Sequence, residues 1–182
     1  MKVWLSLEEL QRLISHPDDT EEQIVYGLGG TCGLRSHEIL QVRPSNVKDT
    51  DMGLMVAVPE GKGEKYREVP IPERLATQIK TIGDVRSSDQ PVVSISTTRG
   101  IRKWIESTRR DLAEETGNND WLELTLHDLR RTWANQLSSC DVDALLVLEW
   151  GGWNDMDTFL DHYNGAYTPE GQRREREKVD WL

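Results

Sequence analysis

Cysteine, lysine and long apolar segments are all scarce in this chain of 182 residues. The two cysteines, Cys32 and Cys140, provide neither a disulfide framework nor the paired spacing of a zinc site, so we expect a reducing, cytoplasmic compartment. No apolar run approaches the roughly 20 residues that cross a bilayer, and the N-terminus lacks the apolar segment of a signal peptide. We therefore expect a soluble domain without a membrane partner, long enough to bury a full core.

Lysine is the rarer basic residue. The 22 basic residues comprise seven lysines and fifteen arginines, against 32 acidic residues, and the net charge is −10. A lysine-poor, acidic surface stays soluble in concentrated salt and predicts a halophilic source, with an acidic mesophilic protein as the alternative. The average charge disfavours nucleic-acid binding, which needs a basic surface, although a local cluster of arginines can still supply one.

The apolar periodicity predicts a mainly α fold with a small three-stranded antiparallel sheet (α+β). Ser6 and Glu9 have the spacing of a capping box, which opens the first helix. Three helices are predicted to begin at Ser6, Asp18–Thr20 and Gly33. Further helices are predicted to span about 73–82, 97–115, 124–139, 143–150 and 156–163. A last helix is predicted to begin at Thr168 and to run to the end of the chain. Strands are predicted at 46–48, 54–59 and 65–71, with a weaker one at 91–95.

The predicted helix from Leu124 carries two chemically capable side chains at its start, His127 and Arg130. Their i, i+3 spacing places both on one face, one turn apart. Apolar residues at helical spacing would seat this helix on the core, namely Leu126, Leu129, Trp133 and Leu137. An imidazole beside a guanidinium can hold an anionic oxygen and move a proton near it, although an ordinary surface turn has the same spacing.

Four other residues can join that pair. Arg35 lies just past Gly33, at a helix start, with Glu38 one turn later to fix it, and Lys62 lies at a predicted hairpin tip. Trp153 has an indole N–H and follows a double glycine, and Tyr163 lies near the end of an amphipathic helix. Taken singly, each has an ordinary alternative: a surface ion pair, a solvated lysine, a core tryptophan and a half-buried tyrosine.

Together these groups fit one reaction. Two guanidinium groups, an imidazole, an indole N–H and an ammonium are donors suited to the oxygens of one phosphate. A tyrosine oxygen is a competent nucleophile, and a phosphotyrosine intermediate divides a difficult transfer into two easier steps. Because we find no carboxylate cluster or Cys/His set suited to Mg²⁺ or Zn²⁺, we expect no metal and no cofactor. The predicted chemistry is metal-free phosphoryl transfer through tyrosine.

The ordered set of motifs resembles the tyrosine recombinase (phage integrase) family, of the Xer and archaeal integrase kind. The resemblance covers about residues 5–163. It rests on four boxes, Gly33-Leu-Arg35-Ser-His-Glu38, Gly61-Lys62-Gly63-x-Lys65-x-Arg67-x-Val-Pro70, His127-x-Leu-Arg130-x-Thr-x-Ala134, and Gly152-Trp153 followed by Tyr163. It implies a catalytic domain over residues 1–167 and a C-terminal helical tail over 168–182.

The resemblance also implies roles for the residues at the matching positions. Tyr163 would attack a DNA phosphate to give a 3′-phosphotyrosyl link and a free 5′-hydroxyl. Arg35 and Arg130 would clamp the nonbridging oxygens in the transition state. His127 would hydrogen-bond the phosphate and serve as general base. Strand exchange would repeat the attack from the other side, so no ATP would be needed.

Two assignments carry named alternatives. Lys62 is the expected general acid for the leaving 5′-oxygen, and Lys65 could substitute for it. Trp153 replaces the commoner histidine of the third box and can donate a hydrogen bond without shuttling a proton. The interval from Trp153 to Tyr163 is 163 − 153 = 10, one longer than usual in the family, with Tyr167 as a distant second nucleophile.

The expected partner is double-stranded DNA, with a tetramer on DNA and a monomer without it. The 182 residues do not include the N-terminal core-binding domain that usually completes the DNA clamp in the family, and we expect either an excised catalytic domain or a minimal form that needs help. In relatives the C-terminal tail packs on a neighbouring protomer, and packing in cis or in trans is equally expected for 168–182. The alternatives in function are a type IB topoisomerase-like enzyme and a DNA-binding regulator that performs no chemistry.

Overall fold

The structure is a computed structural model that describes residues 4–58, 66–140, 142–154, 159, 173 and 176–181. Within these residues the predicted fold class is confirmed, because most elements are helices and the strands form one antiparallel sheet. The helices are α1 (Leu7–Ser15), α2 (Thr20–Thr31), α3 (Ser36–Ile39), α4 (Glu73–Val85), α5 (Thr98–Thr116), α6 (Leu126–Ser139) and α7 (Ala144–Gly151). The strands are β1 (Val47–Thr50), β2 (Gly53–Val58) and β3 (Arg67–Pro70), and turns of 3-10 helix lie at Pro44–Asn46 and Asn119–Glu123.

Side-chain caps set the predicted helix starts. Ser6 and Glu9 form the predicted capping box: the Ser6 N–H donates to the Glu9 carboxylate at 2.8 Å, and the Glu9 N–H donates to the Ser6 hydroxyl at 3.2 Å. Asp19 caps α2 through the N–H groups of the first turn, and Thr97 caps α5. These local signals fix where helices begin, independently of what the helices pack against.

The sheet is a meander of order β1-β2-β3 with both pairs antiparallel. Val56 lies opposite Val47 on one side and opposite Val69 on the other, and it is fully buried. All three predicted strands are therefore confirmed, with ends that differ by one or two residues. The connection from β2 to β3, 59–65, lies outside the described residues, and both Lys62 and Lys65 belong to it.

The weak strand predicted at 91–95 is wrong, because this segment has no strand. The Val92 N–H donates to the Val42 carbonyl at 2.9 Å, and the Ser94 N–H donates to the Glu21 carboxylate at 2.6 Å. The N–H groups of Val92 and Ser94 thus bind a loop carbonyl and a side chain on α2, so they are not available to pair with a neighbouring strand. The apolar character of the run reflects burial of Val92 and Val93 in the core.

Helix α2 lies at the centre of the core and packs chiefly against α6 and α1. A Cβ placed on Gly30 would lie 2.4 Å from the Leu10 side chain, so the glycine-rich end of α2 allows close packing against α1. The predicted apolar stripe of α6 is also confirmed. Leu129 and Trp133 are buried, and Leu126 and Leu137 pack against the core.

Two predicted helices lie largely outside the described residues. Of 156–163, only Phe159 is described, as a helical and fully buried residue, and Tyr163 is among the others. Of the predicted tail, Arg173 and 176–177 are helical, and the Trp181 side chain is 83% exposed. No helix in the described ranges is long and apolar enough to cross a membrane.

Gly33 provides a test of the packing between α2 and α6. Its φ is +66°, and a Cβ there would lie 2.2 Å from the Trp133 ring. Gly117 has the same φ but nothing within 4 Å of such a Cβ. Gly117→Ala should lower the free energy of unfolding by about 1–2 kcal/mol, the cost of left-handed backbone. Gly33→Ala should cost about 1–3 kcal/mol more, because the indole must also move.

Urea unfolding of the two alanine variants beside the parent chain measures this difference directly. Equal losses at Gly33 and Gly117 would show that the Trp133 ring is not packed against the turn after α2.

Candidate active site

A cavity of about 230 Å³ opens at the N-terminal end of α6. Three of the predicted site residues, Arg35, His127 and Arg130, line it together although they come from two distant parts of the sequence. The remaining lining residues are Leu34, Ser36, His37 and Leu126. Two guanidinium groups and an imidazole thus converge on a space that can hold a small anion.

The start of α6 is held by the residues around His127. The Asp128 carboxylate accepts the Thr125 N–H at 3.0 Å and the Thr125 hydroxyl at 2.6 Å, which fixes the residue that caps the helix. Its other oxygen accepts Arg131 Nη1 at 2.8 Å. His127 lies in the first turn of α6, where the N–H groups of a helix start and the helix dipole favour an anion.

Arg130 lies at the bottom of the cavity and is only 2% exposed. Its Nη1 donates to the Gly33 carbonyl at 2.5 Å, and its Nη2 donates to the Gly151 carbonyl at 2.6 Å. The guanidinium carbon lies 4.0 Å from the centre of the Trp153 ring. Two backbone carbonyls and an aromatic face thus hold this cation in one orientation.

Arg35 lies at the N-cap of α3, and its side chain is 28% exposed. Glu38, one turn later, accepts Arg35 Nη1 at 3.0 Å and the Arg35 N–H at 2.7 Å. The expected role of Glu38 in fixing Arg35 is therefore confirmed. Arg35 Nη2 also donates to the Gly152 carbonyl at 2.9 Å.

Glu38 is itself buried against a third arginine. Arg67 donates from Nη1 to Oε1 at 2.8 Å and from Nη2 to Oε2 at 2.9 Å, a bidentate pair in which both side chains are buried. Burial by itself raises the pKa of Glu38. The hydrogen bonds and charge of Arg67, with those of Arg35, outweigh that effect and hold the pKa below its usual range.

Three consecutive carbonyls at the C-terminal end of α7 accept from three different arginines. The Trp150 carbonyl accepts Arg67 Nε at 2.7 Å, the Gly151 carbonyl accepts Arg130, and the Gly152 carbonyl accepts Arg35. The last carbonyls of a helix lack intrahelical partners and carry the negative end of its dipole. The end of α7 therefore gathers the cations of the site at one place.

Trp153 follows this turn and is 7% exposed. Its ring stacks on Trp133, with 6.0 Å between centroids and 13° between planes, and meets the Phe159 ring edge-on at 5.2 Å. The alternative of a core tryptophan is thus correct for the ring. Donation of its indole N–H to a phosphate stays a prediction.

Lys62 and Tyr163 lie outside the described residues, so their places in the site stay predictions as well. Two residues that the sequence analysis left without a role join the site: His37 lines the cavity, and Arg67 reaches Glu38 from β3. Arg67 belongs to the predicted hairpin box. Its burial could have been predicted from the sequence, because it lies two residues before Val69 on β3 and therefore on the same buried face of the strand.

Comparison with known proteins identifies the family of this chain. The model of the phage integrase family matches residues 3–169. Tyrosine recombinase XerA of Thermococcus kodakarensis is 34% identical over 158 residues, covering 85% of this chain and 55% of that protein. XerA of Pyrococcus furiosus is 29% identical over 158 residues, covering 85% and 54%. The chain belongs to the phage integrase family.

Solved structures of other family members share the fold. A crystal structure of XerA recombinase covers 98% of this chain and 65% of its own, with a TM-score of 0.76 at 23% identity. XerH recombinase bound to difH substrate in a pre-cleavage complex covers 98% of this chain and 54% of its own, with a TM-score of 0.72 at 20% identity. The chain spans about half the length of the curated relatives it matches.

Glu38→Gln tests the charge balance of this integrase-family site. It should lower the free energy of unfolding at neutral pH by about 3 kcal/mol, because it leaves Arg67 buried without its counter-charge. The folded pKa of Glu38 lies below the unfolded value, so the charge contributes stability above the unfolded pKa of about 4.5 and loses it as the pH falls through the folded pKa.

The gap between the parent chain and Glu38→Gln should therefore narrow as the pH falls below about 4.5. Urea unfolding over a pH series measures it, with the exposed Glu114→Gln on α5 as the matched control that should leave the curve unchanged. A gap that stays constant down to acid pH would contradict a buried, charged Glu38.

Proposed function

We propose that this chain is the catalytic domain of a site-specific DNA recombinase that cuts and rejoins DNA through a tyrosine. The observation that carries the proposal is the cavity at the start of α6, where Arg35, His127 and Arg130 meet. Such a set matches one phosphodiester: two planar forks for the nonbridging oxygens and an imidazole for a proton or a third hydrogen bond.

The proposed first step is in-line attack by Tyr163 on the scissile phosphorus. A bond forms between the tyrosine oxygen and phosphorus, and the bond from phosphorus to the 5′-oxygen breaks, with its electron pair staying on that oxygen. His127 accepts the tyrosine proton, and Lys62 donates a proton to the 5′-oxygen. Rejoining reverses these transfers with a 5′-hydroxyl of the partner strand, so the bond energy is retained in the phosphotyrosine.

Arg35 and Arg130 neutralise the charge that develops on the nonbridging oxygens. Their held orientations support this role, because donors that are already in place need no reorganisation during the reaction. Among the described residues no group of three His, Cys, Asp or Glu side chains could hold a metal ion. We propose that the charge stabilisation comes from the two guanidinium groups.

A basic helix start adjoins the site and supports DNA as the partner. The first two turns of α5 carry the exposed Arg99, Arg102 and Lys103. Arg102 lines a second cavity of about 400 Å³ that shares Ser36 and His127 with the first. In a chain of net charge −10, this side is where a phosphate backbone would find positive charge. Assembly as a tetramer on DNA and a cytoplasmic location complete the proposal.

Covalent capture tests the nucleophile. The substrate is a nicked duplex of randomised sequence, from which the short cleaved strand diffuses away after the cut. Because rejoining is then impossible, every sequence that the protein cleaves should stay covalently attached to it. Tyr163→Phe should abolish attachment, because phenylalanine has no oxygen, whereas the matched control Tyr167→Phe should retain it. Denaturing gels and peptide mass spectrometry identify the adduct.

Attachment that survives in Tyr163→Phe and is lost in Tyr167→Phe would move the nucleophile to Tyr167. Specific DNA binding by the parent chain with no adduct at all would favour the regulator that performs no chemistry.

We also propose a halophilic adaptation, supported by the shortage of lysine and the excess of acidic residues. Molar KCl should raise the urea midpoint of unfolding, because salt screens repulsion between surface carboxylates. DNA affinity should fall over the same range, with a slope of about −0.9 per phosphate contact in a plot of log affinity against log salt. A urea midpoint that does not respond to salt would contradict the adaptation.

A further inference from the structure

Each of the three guanidinium nitrogens of Arg67 donates a hydrogen bond inside the protein. Its side chain is only 6% exposed, and it reaches α3 and the end of α7 from the start of β3. Two nitrogens hold the two oxygens of Glu38, and Nε holds the Trp150 carbonyl at 2.7 Å. One buried residue thus ties together β3, the helix α3 that follows Arg35 and the turn before Trp153.

We propose that Arg67 is a positioning residue that orients Arg35 toward the scissile phosphate, an inference that rests on the proposed function. Glu38 Oε1 accepts Arg67 Nη1 at 2.8 Å and Arg35 Nη1 at 3.0 Å. Glu38 Oε1 thus accepts from Arg67 on its buried side and from the half-buried Arg35 on the side of the cavity. If Arg67 moves, the carboxylate that aims Arg35 loses its fixed position.

The second support of Arg35 also depends on Arg67. Arg35 Nη2 donates to the Gly152 carbonyl, and Arg67 holds the same turn two residues earlier, at Trp150. Gly152 has a φ of +62°, and a Cβ there would lie 3.1 Å from the Cδ, Nε and Nη1 atoms of Arg67. The turn therefore folds directly over the Arg67 side chain, and both anchors of Arg35 rest on it.

Only an arginine fits this arrangement. A planar fork can bind both oxygens of a carboxylate and still present Nε sideways to a carbonyl, whereas a lysine ammonium is a single point donor. Arg67→Lys keeps the buried charge of Glu38 compensated but loses the fork. It should leave the fold intact and displace Arg35, and a displacement of about 1 Å in a catalytic group can reduce a rate by roughly a hundredfold.

The test compares single-turnover cleavage of the nicked duplex by the parent chain, Arg67→Lys, Arg35→Lys and the double variant. Arg67→Lys should cleave at a rate lower by roughly one to two orders of magnitude, with unchanged DNA affinity. If Arg67 acts through Arg35, then adding Arg67→Lys to Arg35→Lys should change the rate by no more than about twofold. A further loss as large as in the parent background would overturn the inference.

Arg86→Lys is the matched control. Arg86 pairs with the carboxylate of Glu21 and donates to the Val92 carbonyl at 3.5 Å, so it has the same kind of partners away from the site, with a side chain that is 38% exposed. Its replacement should leave cleavage unchanged. An equal loss of rate in Arg86→Lys and Arg67→Lys would mean that Arg67 contributes only general stability, which would overturn the inference.

Two further readouts separate this inference from the proposed function. The first uses a DNA substrate with sulfur in place of the 5′-bridging oxygen, whose leaving group needs no proton. The loss of cleavage rate in Arg67→Lys should persist with this substrate. A normal rate would show that Arg67 acts through Lys62, the proposed general acid, and would overturn the inference. Nitrogen-15 spectra of the arginine side chains require no cleavage. Arg67→Lys should accelerate proton exchange of the Arg35 guanidinium, and unchanged Arg35 signals would overturn the inference whether or not the chain cuts DNA.

Discussion

The site depends on one buried carboxylate. Glu38 is nearly inaccessible to solvent, and a charge in that position would be costly without partners of opposite charge. Arg67 and Arg35 supply them, and the backbone N–H of Arg35 adds a further hydrogen bond. Because one carboxylate must satisfy both arginines, their side chains cannot be placed independently, and the elements that carry them are fixed relative to one another.

Helix ends complete the electrostatics of the site. Arg35, Arg67 and Arg130 are cations brought close together, and all three donate to carbonyls at the end of α7. Arg35 and Arg67 also donate to Glu38. The C-terminal end of one helix thus stabilises the cations, while the N-terminal end of α6 faces the cavity that would take the anion. This division explains how a chain with a net charge of −10 can maintain a locally positive site.

The sequence predicted those parts of the structure that have local signatures. Capping residues marked helix starts, and apolar spacing identified the buried face of α6. The pairing of Arg35 with Glu38 was visible because the two residues are one turn apart. The role of Arg67 was not, because its partners Glu38 and Trp150 are 29 and 83 residues away and one of them is a backbone carbonyl. Backbone acceptors have no sequence signal of their own.

Apolar composition also misled at 91–95, where burial was interpreted as a strand although Glu21 and a loop carbonyl take the backbone donors.

The central claim is that Arg35, His127 and Arg130 bind one phosphate. A crystal structure of the Tyr163→Phe chain with a cleavable duplex tests it most directly. The account predicts one phosphate with its nonbridging oxygens within hydrogen-bonding distance of all three side chains. DNA bound along α5 with no phosphate in the cavity at the start of α6 would contradict it.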